Sequence, residues 1–298
     1  MEFKKLLSYS NIPFLENEPM GNHTGYGVGG NARYFIYATS VKMLKDALEL
    51  AKSCKISVKI CGFGTNLLVS DGGYNGLVIC TERLKGIEYK NDVYKVACGT
   101  PLVEFIRFAV ENGSCGLEAL VGIPATVGGA IVMNAGAFCH TISDYCVGVQ
   151  TLKNGKLIYR EKQDCKFDYR KSKFLGGKET VLNAMFSLPD CIDKQQVLNY
   201  LEDCAIKRKT VQPKGRSCGS VFKNPKGDFA GRLIDQAGLK GFSIGGAEVS
   251  SVHGNFILTK KGAKATDVYL LINKIKQTVY EKFKIQLQEE IELIGKFI

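Results

Sequence analysis

Apolar residues recur at helical spacing in three long stretches. Behind Ser40, whose hydroxyl suits an N-cap, Val41, Leu44, Ala47, Leu48 and Ala51 fall on one side of a helix that ends near Ser53. After Thr100 and Pro101, the positions Leu102, Phe105, Ile106, Ala109 and Val110 form one apolar face, and Gly113 ends the run. From Thr266 onward Val268, Leu271, Ile272, Ile275 and Val279 share one side of a helix that stops near Lys284. A more polar helix is predicted over about Lys194 to Lys209 and a short one over Ala230 to Ala237.

Short apolar runs bounded by turn residues predict strands. They are Ile56 to Ile60, Leu67 to Val69, Leu77 to Cys80, Thr180 to Leu188, runs near Phe242 and Phe256, and a final strand from Ile285 to Ile294. Val147 to Leu152 and Lys156 to Tyr159 flank Lys153-Asn154-Gly155, and an Asn-Gly pair tolerates the positive φ that closes a tight hairpin. This order of strands and helices implies α+β domains and not one doubly wound sheet. At 298 residues the chain exceeds the size at which one core usually stops growing, so two or three cooperating domains are expected. Pro189 to Asp193, where an extended apolar run gives way to a polar helix, separates a region 1–188, itself broken near 80–86, from a smaller region 189–298.

Composition narrows the class. With 45% hydrophobic and 23% charged residues the chain resembles an ordinary globular protein, and no segment approaches the roughly 20 apolar residues that cross a bilayer. The first seven residues hold two lysines but no long apolar run before Asn11 and Pro13, which disfavours secretion. Eleven cysteines, odd in number and without a Cys-x-x-Cys pair, read as reduced thiols in a cytoplasmic protein. The three histidines, His23, His140 and His253, stand in no ligand pattern with a cysteine, so no metal is expected.

A formal charge of +11 favours anionic partners. The basic clusters Arg170-Lys171-x-Lys173 and Lys207-Arg208-Lys209 are short and not interleaved with aromatics, so nucleotide cofactors and nucleotide-sugars fit better than nucleic acid. Two glycine-rich segments point the same way: Gly62-Phe63-Gly64-Thr65-Asn66-Leu67, and Gly122 to Ala130 leading into Asn134-Ala135-Gly136-Ala137. Without side chains, backbone N–H groups can approach a diphosphate closely, and two such loops can clasp one dinucleotide. The first segment runs strand, loop, strand, which is not the strand, loop, helix order of a dinucleotide-binding Rossmann unit.

Six segments in order resemble the UDP-N-acetylenolpyruvoylglucosamine reductases. They are Gly29-Gly30-Asn31-Ala32; Gly62 to Asn66 with Leu67-Leu68-Val69-Ser70-Asp71-Gly72-Gly73; Gly122 to Ala137; Phe167-Asp168-Tyr169-Arg170-Lys171-Ser172-Lys173-Phe174; Gly219-Ser220-Val221-Phe222-Lys223-Asn224-Pro225; and Glu289-Glu290-Ile291-Glu292-Leu293-Ile294-Gly295. The resemblance, which runs from about residue 20 to the C-terminus, implies an FAD-binding region of the PCMH/vanillyl-alcohol-oxidase type in two α+β subdomains, followed by a smaller α+β substrate domain. It implies that FAD takes hydride from NADPH and passes it to the enolpyruvyl group of a UDP-sugar, giving UDP-N-acetylmuramate for peptidoglycan. The chain looks like the family's shorter type, without the longer substrate-covering insertions. A cytoplasmic monomer without a nucleic-acid partner or a membrane span is expected. Another FAD-dependent oxidoreductase of the same fold, acting on a different small substrate, is the alternative.

For FAD the resemblance points to Gly62, Gly64, Thr65, Asn66 and Leu67, and to Gly122, Ile123, Pro124, Thr126, Gly128, Gly129, Ala130, Asn134, Gly136 and Ala137. Binding is expected to be non-covalent, because His23 lacks a preceding Gly-Gly. Substrate contacts are expected at Tyr169, Asn224, Arg208, Lys209 and His253. Three residues are expected to be catalytic. Hydride delivery to the β-carbon leaves charge at the α-carbon, delocalised into the carboxylate. Arg170 can grip that carboxylate with two N–H donors. Glu290 helps only while it keeps its proton. Ser220 then donates to the α-carbon. Glu289 is the rival of Glu290, and strand alternation turns the two to opposite faces.

Overall fold

The chain is described here by a computed structural model covering residues 2–297. It divides into two compact units. One comprises the residues up to Leu15 together with Tyr34–Phe63 and Gly76–Arg208; the other comprises Glu16–Arg33, Gly64–Asn75 and the residues from Lys209 onward. The composition change at Pro189 lies upstream of this division, because the helix Lys194–Val211 buries Leu201 and Cys204 in the core of the first unit.

The first unit is built on a five-stranded sheet in the order Lys156–Glu161, Cys146–Lys153, Thr180–Phe186, Val93–Ala97, Ile87–Lys90, all antiparallel. Two tight hairpins close its edges. Asn154 and Gly155 form the turn expected from the sequence, at φ 49° and 73°, and Asn91 and Asp92 form a second at 50° and 58°. The helix Leu102–Glu111 buries all five residues of its expected apolar face, and Phe105 packs on Phe186 of the sheet with ring centroids 4.8 Å apart. A second layer sets Val58–Cys61 parallel to Tyr74–Cys80 beside the helix Val41–Ser53. Ser40 caps that helix as expected, accepting from the Met43 N–H at 3.1 Å.

Among the elements not expected from the sequence, one bears on the site. Val127–Met133, inside the glycine-rich segment, is a helix capped by the Thr126 hydroxyl. Glycines lower helix propensity, but Val127, Ala130 and Ile131 are all buried, and that packing outweighs the local cost.

The second unit is organised by the helix Ala265–Phe283, whose Val268, Leu271, Ile272, Ile275 and Val279 are buried. It packs against the strands Ser243–Ile244 and Ala247–Val249, which form an antiparallel sheet with Ile257–Thr259, and against the short helix Ala230–Gln236. Asp71 caps the long helix from a distant stretch of chain. Its carboxylate accepts from the N–H groups of Ala265 and Thr266 at 2.8 and 2.9 Å and from the Thr266 hydroxyl at 2.6 Å. The strand expected over Ile285 to Ile294 is shorter: Glu292–Ile294 pairs in parallel with Leu67–Val69, and only a single bridge, Phe222 with Glu289, precedes it. Overall the chain has the α+β composition expected from its sequence.

Candidate functional site

In the first unit the two glycine-rich segments come together. A Cβ on Gly62 would stand 2.4 Å from the Thr126 hydroxyl, so only glycine lets these segments approach so closely. Gly128 has the same role toward the interior, where a Cβ would lie 2.7 Å from that of Cys98. Gly129 is different. It is exposed, and an added Cβ would meet only the Thr126 hydroxyl, at 3.4 Å. Packing does not require glycine at 129.

The expectation that these glycines offer backbone donors needs correction. The N–H groups of Val127, Gly128, Gly129 and Ala130 are already bonded to the carbonyls of Thr100 and Cys98, the hydroxyl of Thr126 and the carbonyl of Thr126, respectively. These four N–H groups at the start of the helix are therefore already engaged. Asn134, expected to touch the cofactor, is buried at the helix end with φ 44°. Its amide donates to the Asp168 carbonyl at 3.0 Å and accepts from the Ser143 N–H at 3.3 Å, so it fixes the neighbouring loop. Ala130 is likewise part of the core, while Ile123 and Pro124 lie in the turn before the helix.

That neighbouring loop carries Tyr169 and Arg170. Asp168 and Lys171 exchange backbone hydrogen bonds at 3.0 and 3.1 Å, which leaves Tyr169 and Arg170 at the tip of a tight turn. The Ser172 hydroxyl ties the turn to the Val132 carbonyl at 2.6 Å. Arg170 adopts φ 50°, a conformation costing a non-glycine residue about 1 kcal/mol or more. Its guanidinium donates to the Gly136 carbonyl at 2.9 Å. A strained arginine held by a buried asparagine and a buried serine is a preorganised cation. Arg208 approaches the same surface, donating from Nε to the Val121 carbonyl at 3.1 Å, with its Cδ filling the space over Gly122. Burial, with Arg170 nearby, holds the Arg208 guanidinium below its usual pKa. Lys209 is exposed.

In the second unit Ser220 and Glu290 occupy neighbouring extended segments. Ser220 forms a bridge with Phe256, and the Glu290 N–H donates to the carbonyl of Val221 at 2.8 Å. Asn255 clamps the Ser220 segment, accepting from the Phe222 N–H at 2.9 Å and donating to the Phe222 carbonyl at 2.8 Å. Asn66 supports the Glu290 segment through its amide, which donates to the Glu290 carbonyl at 3.1 Å. Leu67 belongs to the strand paired with Glu292–Ile294, and Gly64, at φ 65°, leaves no room for a Cβ beside the His23 carbonyl. Glu289 is committed elsewhere, its carboxylate 2.7 Å from the Lys276 ammonium.

Ser220 opens on a cavity of about 420 Å³ with Asn224, Arg232, Lys240, Val252 and His253 among its walls. Asn224 caps the helix Ala230–Gln236, its Oδ1 accepting from the Ala230 N–H at 3.1 Å, which fixes the orientation of the amide. His253 Nδ1 accepts from the Asn255 N–H at 3.1 Å, so in the neutral ring the proton sits on Nε2 as a donor. Burial lowers the His253 pKa, keeping the ring neutral. Arg232 and Lys240 were not singled out in the sequence. Arg232 is paired with Asp228 and Lys240 with Asp235, the latter at 2.8 Å. The cavity thus offers several oriented donors without a large net charge.

No group of His, Cys, Asp or Glu among the described residues could hold a metal ion. No helix of the described residues is long and apolar enough to cross a membrane.

Known proteins match both units. Residues 32–158 match the family model of an FAD binding domain, and residues 212–294 match that of the C-terminal domain of UDP-N-acetylenolpyruvoylglucosamine reductase. A UDP-N-acetylenolpyruvoylglucosamine reductase of Caldicellulosiruptor bescii is 40% identical over all of this chain and 96% of its own length. One from Listeria innocua is 38% identical over 97% of each chain. Among solved structures, the UDP-N-acetylenolpyruvylglucosamine reductase of Thermus caldophilus superposes with a TM-score of 0.81 at 33% identity, covering 95% of this chain and 99% of its own. The pollen protein Phl p 4, as a glucose oxidase variant, shares the fold of 64% of this chain and 44% of its own, at a TM-score of 0.51 and 15% identity.

Proposed function

The chain belongs to the UDP-N-acetylenolpyruvoylglucosamine reductase family, and from that membership we infer that it reduces the enolpyruvyl group of UDP-N-acetylglucosamine enolpyruvate to UDP-N-acetylmuramate, with NADPH as hydride donor and FAD as carrier. The exposed glycine at 129 and the close approach of Gly62 to Thr126 fit a flat, non-covalently held cofactor. When bound, FAD supplies the hydride that reaches the β-carbon.

The chain's own residues then manage charge and proton. Arg170 takes the substrate carboxylate through its planar fork, and its charge offsets the negative charge that develops there. Glu290, holding a proton, faces the enediolate oxygen. Ser220 delivers its hydroxyl proton to the α-carbon. Asn224 and His253 orient the nucleotide-sugar from the cavity wall, joined by Arg232 and Lys240. Arg208 holds Val121 and Gly122 in place, a positioning role beside the cofactor segment. We place the reaction in the cytoplasm, which eleven free thiols support, and assign it to a monomer without a nucleic-acid partner.

The observation that carries the assignment of the proton donor is that Ser220 lines the cavity while the residue after it is hydrogen-bonded to Glu290. The test uses the purified yellow protein under anaerobic conditions. NADPH should bleach the flavin, and only the enolpyruvyl UDP-sugar should restore it, with UDP-N-acetylmuramate recovered by mass spectrometry. Reoxidation by an unrelated small substrate at a faster rate overturns the reading.

A further inference from the structure

Cys115 and Cys191 lie 76 positions apart in the sequence but flank one backbone bridge. Ser114 pairs with Asp190; the Cys115 N–H donates to the Pro189 carbonyl at 2.9 Å, and the Cys191 N–H donates to the Gly113 carbonyl at 2.7 Å. Residues on either side of such a pair turn to the same face. The two thiols are thus diagonal neighbours on one face, both partly exposed and both reduced. The Cys115 thiol also rests on the Asp190 carbonyl at 3.7 Å.

Other thiols are arranged differently. Cys61 and Cys80 stand opposite each other in register on parallel strands, yet both are buried, and Cys80 is directed to the Gly62 carbonyl at 3.4 Å. Cys139 is exposed but has no cysteine neighbour among its described contacts. Of the thiols here, Cys115 and Cys191 combine proximity with access to solvent.

We propose that Cys115 and Cys191 are a modification site, a dithiol that a peroxide converts to a disulfide clasping the two ends of the chain stretch that carries the first unit's site residues. Gly122 to Ala137, Tyr169 and Arg170 all lie between the two cysteines in sequence, and the helix that bears Arg208 starts directly after Cys191. The chemistry balances with hydrogen peroxide as the oxidant. One sulfur attacks a peroxide oxygen, the O–O bond breaks, and a sulfenic acid and one water result. The second sulfur attacks the first, the S–O bond breaks, the S–S bond forms, and the second water leaves with the remaining thiol proton. Burial and the adjoining Cys191 push the Cys115 thiol up to about 11, and within so close a pair either sulfur can attack while the other resolves. A dithiol reductant reverses the bond by exchange. The assignment stands on the geometry of the first unit alone and does not depend on the reductase reading.

The test treats the FAD-loaded enzyme with hydrogen peroxide, quenches with an alkylating reagent in denaturant, and counts alkylated thiols by intact mass. The expected result is nine alkylated thiols in place of eleven, a cross-linked peptide pair containing Cys115 and Cys191, and recovery of all eleven with dithiothreitol. Because the bond closes a long loop, the oxidised protein should melt about 5 °C or more above the reduced one. Cys191→Ser and, separately, Cys115→Ser should each abolish both the cross-link and the shift. A cross-link joining Cys61 to Cys80, separate oxidation of the two sulfurs beyond sulfenic acid, or an upward shift that survives Cys191→Ser overturns the proposal.

Discussion

The Glu290 N–H donates to the Val221 carbonyl at 2.8 Å, so the carboxylate and the hydroxyl assigned to opposite ends of one enolate sit on adjacent, hydrogen-bonded segments of a single unit. Their spacing is set by backbone, with Asn255 and Asn66 fixing the two segments from either side.

The assignment of Ser220 separates the two halves of the reaction. Ser220→Ala removes a hydroxyl with no hydrogen-bond partner among the described residues, so the fold should be unaffected. Flavin bleaching by NADPH should keep its wild-type rate, while reoxidation by the enolpyruvyl substrate should slow about 100- to 1000-fold. Stopped-flow absorbance of the two half-reactions checks this; an unchanged second half-reaction removes Ser220 from the proton path.

Glu289 and Glu290 give an internal control. Glu289→Gln breaks only a half-exposed pair with Lys276, so stability should fall by about 1 kcal/mol or less and turnover should persist. Glu290→Gln keeps the size and loses the proton that faces the enediolate, so turnover should collapse while the melting temperature stays close to wild type. Equal losses in both variants, measured by steady-state rates, would show that the strand presents the wrong face to the site.

Arg170 joins strain to function. Replacing it by glycine relieves the φ of 50° and also loses the bond to the Gly136 carbonyl, two effects of about 1 kcal/mol each and of opposite sign. Stability should therefore stay within about 1 kcal/mol of wild type, whereas substrate-dependent reoxidation should fall sharply. Arg170→Lys keeps the charge but not the fork, and should remain well below wild type. Chemical denaturation beside the reoxidation rate separates the two effects.

Asp71 gives a pH signature in the second unit. Partial burial raises its pKa, but the donors from Thr266 and Ala265 outweigh burial and leave it below the usual carboxylate value. A carboxyl group more acidic in the folded than the unfolded chain binds fewer protons when folded, so its stabilisation is complete above the unfolded value of about 3.9 and disappears as pH falls through the folded value. Asp71→Asn should lower stability at pH 7 by about 1 kcal/mol, and that difference should close as the solution is acidified through and below pH 4. Urea melts of both proteins across that range check it; a constant gap means that the cap works without its charge.

Much of this was legible in the sequence because the decisive signals are local. Ser40 before an apolar stripe gives a capped helix, and Asn154-Gly155 gives a hairpin. The hairpin at Asn91-Asp92 is not legible, since Ile87–Lys90 is mostly exposed and Val93–Ala97 alternates in burial over only five positions. The helix Val127–Met133 is hidden by its own glycines, of which Gly128 is required by a 2.7 Å approach to Cys98, a tertiary contact. In the site, Ser220, Asn224 and His253 sit in recognisable segments, but Arg232 and Lys240 look like solvated cations until a cavity wall brings them beside Ser220. Asn134, a polar residue beside Gly136, has a structural task that the sequence does not reveal, since its amide bonds Asp168 and Ser143.

Gly62 and Gly129 should respond to alanine in opposite ways, which tests whether the first unit's glycines make room for a ligand or only for each other. At Gly62 the new methyl would collide with the Thr126 hydroxyl at 2.4 Å, so apo-protein stability should drop by about 1–3 kcal/mol and FAD affinity should fall with it. At Gly129 the methyl meets nothing closer than 3.4 Å and sits on a helix, where alanine is better than glycine by up to about 1 kcal/mol. Gly129→Ala should therefore melt at or above the wild-type temperature without flavin, yet bind FAD at least about tenfold more weakly, a loss of about 1.4 kcal/mol. Calorimetry of the apo-protein and flavin-fluorescence titration give the two numbers independently. If Gly129→Ala binds FAD as tightly as wild type, the helix surface at Gly129 is not where the cofactor lies, and the glycine at 129 has no function that the structure explains.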